Sequence, residues 1–115
     1  MRNIEEVLRE LGVVGTLRGK RRLIAALRLV LEDENRLMAI TKEVYMPAAK
    51  ACGVQWMTLE RSIRTVVNRL WQMNRSGLDR VAGFELPEKP SSSEFIAMLA
   101  EYIQLSEKNC PANEP

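Results

Sequence analysis

The sequence predicts an all-α domain, a compact bundle of about six helices containing a helix-turn-helix over roughly Pro47–Met73. Three observations predict it. Aromatics make up only 5% of the 115 residues, and Ala, Leu, Met, Arg and Glu, all good helix formers, dominate over β-branched runs. Apolar residues recur at three- and four-residue spacings along most of the chain, which is the helical period. A small residue, Ala49, stands before Gly53, and Val54, Leu59 and Ile63 follow. That order suits two helices that cross closely through a tight turn, with apolar residues locking the second onto the first.

Taken in order, Ile4, Val7, Leu8 and Leu11 mark a short amphipathic helix that Gly12 ends. Gly12, Gly15 and Gly19 punctuate a loop. Lys20 to about Leu31 is a second helix with Leu23, Leu27 and Val30 or Leu31 on its inner stripe. Glu32-Asp33-Glu34 is a poor C-terminus, because negative charge is disfavoured there. The helix is therefore expected to run on, or a new one to start at Asn35, with Leu37, Ile40 and Val44 continuing the pattern to Pro47. Proline suits a first helical turn, so Pro47 is expected to open a short helix ending before Gly53. Another helix follows from about Met57 to Met73. Ser76–Gly83 forms a short helix and Leu86–Pro90 a connector. Ser91-Ser92-Ser93-Glu94 supplies a serine N-cap with an acid in the first turn. Phe95, Met98, Leu99, Tyr102 and Leu105 form the apolar face of the last helix. Residues 1–108 are read as one helical domain and 109–115 as a flexible polar tail.

Charge is distributed unevenly within a net balance of +2. Up to Arg75 there are fourteen Lys/Arg against eight Asp/Glu, and from Ser76 onward three against seven. A cationic part and an acidic part suit an anionic partner and a separate contact surface. There is no histidine, and the two cysteines, Cys52 and Cys110, are far apart. A zinc site, a Ser-His-Asp triad and a Cys-His dyad are thereby excluded, and the acids do not gather at ligand spacing. No enzyme activity, metal or cofactor is expected. No apolar run reaches the eighteen or so residues of a membrane span and no signal peptide opens the chain, so a cytoplasmic location away from membranes is expected.

The informative helix is the second of the helix-turn-helix. At 100° per residue, Leu59, Ile63, Val66 and Leu70 share one face, with Val67 and Met73 at its margins. Opposite lie Thr58, Arg61, Thr65, Asn68 and Gln72, flanked by Arg64 and Arg69. Arg reads guanine, Asn or Gln reads adenine, and Thr meets a thymine methyl or a phosphate. The face carries no Lys and one nearby acid, Glu60, whereas a solubilising face mixes both signs. Double-stranded DNA is therefore the expected partner. Gln55 and Trp56 are weak N-caps, which leaves the start of this helix open. Arg18 and Lys20-Arg21-Arg22 form a basic cluster that is either a phosphate clamp beside this helix or a solvated patch. Gly15 to Lys20 is no phosphate-binding loop, since Arg21 stands where Ser or Thr is needed and no strand precedes it.

From about Ile4 to Lys108 the sequence also resembles the effector domains of the stage zero sporulation protein A family of response regulators. The resemblance lies in Glu10-Leu-Gly-Val13 with Gly19, and in Ile40-Thr-Lys-Glu-Val-Tyr45 followed by Pro47. It continues in Glu60-Arg61-Ser-Ile-Arg64 ahead of Trp71, and in Lys89-Pro90-Ser-Ser-Ser-Glu94-Phe-Ile-Ala-Met98. It implies a six-helix fold and a transcription factor that binds short boxes with a CGAA-containing core, often in tandem as a pair of copies. It makes Glu60, Arg61 and Arg64 DNA contacts, and Lys108 a basic residue near the C-terminus that also approaches DNA. Thr58 stands where the family has an arginine, and Thr65 where it has a histidine. The stretch between Trp71 and Lys89, where the family touches RNA polymerase, is shorter than usual. Family members carry a receiver domain, and Met1 here leads almost directly into the first helix. Either this is an excised domain or a free-standing relative, the latter expected to bind DNA without phospho-control. The competing expectation is a protein-interaction module that pairs with a full-length regulator or with polymerase through the acidic stretch Asp79 to Glu114.

Overall fold

The computed structural model describes residues 3–13 and 17–108. Six α-helices run through them: α1 (Ile4–Leu11), α2 (Leu17–Glu32), α3 (Met46–Cys52), α4 (Trp56–Met73), α5 (Arg75–Ala82) and α6 (Ser92–Lys108). No strand occurs among the described residues. Residues 1–2, 14–16 and 109–115, with the expected loop at Gly15 and the expected tail with Cys110, lie outside what is described, as do the side chains of Leu17, Ser106, Glu107 and Lys108.

Local chemistry accounts for the boundaries. The Asn3 side chain caps α1 by accepting from the Glu6 N–H at 2.8 Å. Gly53 closes α3 at φ +72°, a conformation costly for residues with a Cβ. Its N–H donates to the Lys50 carbonyl at 3.2 Å, while the Val54 N–H reaches back to Ala49 at 2.9 Å. These two bonds form a Schellman closure. Ser91 and Glu94 cap α6 reciprocally: the Glu94 N–H donates to Ser91 Oγ at 3.1 Å, and the Ser91 N–H to Glu94 Oε1 at 2.8 Å.

The acids at 32–34 resolve differently from a continued helix. α2 stops at Glu32, and Asp33 accepts from the Asn35 N–H at 3.1 Å to cap a new 3₁₀ segment, Glu34–Ala39. That segment widens into a π-turn, Thr41–Tyr45, and passes without a break into α3. Pro47 explains the widening. Lacking an N–H, it leaves the Glu43 carbonyl without its helical donor. The Arg36 guanidinium fills the gap, with Nη1 donating to the Glu43 carbonyl at 2.8 Å.

One core joins the helices. Val7, Leu8 and Leu11 of α1, and Leu23, Leu27 and Val30 of α2, are fully or almost fully buried against Leu59, Ile63, Val67 and Leu70 of α4. Two stripes are turned from the expected ones. On α4, Val67 is buried and Val66 only half-buried, while Met73 is 79% exposed. On α6 the buried set is Phe95, Ile96, Leu99, Ala100 and Ile103, with Met98 and Tyr102 half-buried and Leu105 exposed. A helical wheel ranks residues by angle alone. The burial pattern also depends on which neighbours each helix meets, and α6 packs against both α2 and α5.

Candidate nucleic-acid interface

The helix-turn-helix consists of α3, the Gly53 turn and α4. Ala49 is 2% exposed where the two helices meet, which is why a small residue stands there. α4 starts at Trp56, one residue earlier than the apolar pattern suggests, with Gln55 in extended conformation and no side-chain cap. The Thr58 and Leu59 N–H groups are satisfied by the Gln55 carbonyl instead. Leu59, Ile63, Val67 and Leu70 hold one side of α4 in the core.

On the other side Arg61, Arg64, Thr65, Arg69 and Gln72 are exposed. The Thr65 hydroxyl donates to the Arg61 carbonyl at 3.0 Å, which leaves its oxygen and methyl for other contacts. Thr58 and Asn68, expected on the same open face, are half-buried. Lys89 from the connector before α6 donates to Asn68 Oδ1 at 2.6 Å. Reading adenine needs both the oxygen and the nitrogen of an Asn amide, so that role requires Lys89 to move aside. Lys108 ends α6.

Glu60 and Arg64 form an ion pair one helical turn apart, with two hydrogen bonds between guanidinium and carboxylate. Ser92 Oγ donates to Glu60 Oε2 at 2.6 Å, and the Tyr45 hydroxyl donates to Ser92 Oγ at 3.3 Å. A serine hydroxyl has one proton, so Ser92 gives it to Glu60 and accepts from Tyr45. This relay ties α6 and the π-turn to α4 and sets where the Arg64 guanidinium stands. The Arg64 partner, aided by Ser92, holds the Glu60 carboxyl below the usual carboxylate range. Burial pushes the Tyr45 hydroxyl up, so it stays a proton donor at neutral pH. Glu60 keeps acceptor capacity on Oε1 suited to a cytosine amino group, and Arg61 is exposed to solvent.

The basic cluster at the start of α2 lies against this helix. Arg22 Nη1 donates to Ser62 Oγ at 2.8 Å. Arg18, Lys20 and Arg22 share a groove with Ser62, Thr65 and Arg69 of α4. Sequence reasoning left the position of this cluster open, because no local pattern relates residues some forty positions apart. At the far end of α4, Arg75 stacks over the Trp71 ring, 4.0 Å from its centroid. No group of three or more potential metal ligands occurs among the described residues, and no described helix is long and apolar enough to cross a membrane.

The family profile described as sporulation initiation factor Spo0A, C terminal, matches residues 4–103. The match takes in every residue of the α4 face and the start of α6, and covers most of the 115 residues. The chain belongs to the Spo0A C-terminal family of DNA-binding effector domains.

Proposed function

We propose that this protein is a sequence-specific transcription regulator that reads duplex DNA with the outward face of α4 in the major groove. The observation that carries this reading is the exposure of Arg61, Arg64 and Thr65 on a helix whose opposite side is locked in the core. Arg61 and Arg64 act as guanine readers, Glu60 accepts from cytosine, and Thr65 contacts a methyl or a phosphate. Thr58 and Asn68 are secondary contacts at the margins of this surface, and Lys108 is a further contact that the family resemblance implies. Family membership supports a short CGAA-containing box as the target and paired binding on tandem boxes.

The test is a shift assay comparing a duplex bearing such a box with the same duplex scrambled. The box is expected to bind more tightly. Replacing Arg61 or Arg64 by Ala is expected to cost about 1–3 kcal/mol on the box and to relax preference at one base pair. Equal affinity for both duplexes would remove the sequence-reading role. A protein contact is a second reading, favoured by Phe84, which is 60% exposed on the connector beside Glu85 and is accompanied by Glu88. RNA polymerase is the partner that the family resemblance implies for this region. A pull-down of polymerase that Phe84→Ala abolishes is its expected signature.

A further inference from the structure

The groove between the start of α2 and the flank of α4 has a volume of about 190 Å³. Arg18, Lys20, Arg22 and Arg69 line it, and no carboxylate among the described residues does. Arg18, Lys20 and Arg69 make no ion pair with any described residue. Like charges gathered in one place repel one another, and an anion seated among them relieves that repulsion. Arg22 is already fixed on Ser62, so part of the site is preorganised. Val13 and Leu70, both buried, and the half-buried Val66 give the groove an apolar lining beside these cations.

We infer that this groove seats a backbone phosphate of the bound duplex, gripped by Lys20 and Arg69 with Arg18 and Arg22 in support. The inference rests on α4 as the duplex-facing helix. One wall of the groove is α4 itself, and Thr65, one turn after Arg61 on the outward face, also lines the groove. A duplex whose major groove accepts that face brings the adjoining sugar-phosphate strand alongside it. The contact carries no base information; it adds affinity through counterion release and fixes the tilt of α4 on the duplex.

The experiment is equilibrium binding of the whole chain over a series of salt concentrations. Its probes are a short duplex with one CGAA-containing box and the same duplex with the box scrambled. Wild type is compared with Lys20→Ala, Arg69→Ala and Lys20→Arg, and thermal melts verify that each variant is folded. Each alanine variant is expected to weaken both duplexes by the same factor and to flatten the log–log salt slope by about 1, while Lys20→Arg keeps the slope. Alanine variants that retain the wild-type slope on a box preferred by the wild type overturn the groove and leave the reading of α4 standing. A wild type without box preference whose slope the variants still flatten removes sequence reading and leaves the groove. Failure of the wild type to bind either duplex overturns both.

Discussion

Glu60 and Arg64 tie the fold to the face of α4 proposed to read DNA. The carboxylate draws the guanidinium into a set position, and Ser92 holds the carboxylate in turn. Because the folded state lowers the Glu60 pKa, the stability it contributes is present above the usual carboxylate range. That contribution is lost as pH falls through the carboxylate range toward the lowered folded value. Glu60→Gln is therefore expected to melt below wild type at neutral pH, with the gap closing as the solution is acidified. Melting temperatures across that range check it, and a gap independent of pH would show the charge to be irrelevant. Arg64 is solvent-exposed, so screening by salt weakens the pair. The sequence shows the acid and the base four residues apart, but not Ser92, which arrives from another helix thirty-two residues on.

At the scale of elements, the junction of α4 and α5 hangs on Asn74. Its Oδ1 accepts from the Gly77 N–H at 3.2 Å, capping α5, and its Nδ2 donates to the Leu11 carbonyl at 2.7 Å, tying the junction to the end of α1. A methyl at Gly77 would meet the Asn74 side chain, with Cγ only 2.8 Å away. Gly→Ala inside a helix ordinarily stabilises by about 0.5–1 kcal/mol. Here the sign is expected to reverse. Gly77→Ala displaces the cap and its α1 bond, for a net loss of about 1–2 kcal/mol in denaturant unfolding. A stabilised Gly77→Ala protein would mean that Asn74 can turn aside without cost. The helices themselves were legible: Gly12, Gly53 and the Ser91/Glu94 box mark their ends as local chemistry requires. The passage from 3₁₀ to π before Pro47 was not, because its anchor is Arg36 folding forward onto the Glu43 carbonyl.

Across the whole molecule, the Tyr45–Ser92–Glu60 relay joins the π-turn and α6 to α4. Tyr45 is 3% exposed and Ser92 8%, so neither hydroxyl can turn to water freely. Ser92→Ala leaves the Tyr45 hydroxyl buried without an acceptor and is expected to cost about 1–3 kcal/mol of stability. Adding Tyr45→Phe removes the orphaned group, and the double variant is expected to be less destabilised than the sum of the two single changes. Urea unfolding of the four proteins measures the coupling, and strict additivity would deny it. Since the relay also positions Arg64, Ser92→Ala is expected to weaken box binding more than scrambled-duplex binding.

Period and punctuation along the chain determined the all-helical class, the turn at Gly53 and which side of α4 turns outward, because each depends on residues within a few positions of one another. Where two distant segments meet was decided by packing alone. Only the tertiary structure set Lys89 on Asn68, Ser92 on Glu60, and Arg22 with Lys20 beside Arg69. The physical reason is that such contacts form when helices far apart in sequence bury their apolar sides together, and the polar groups at their edges then find one another.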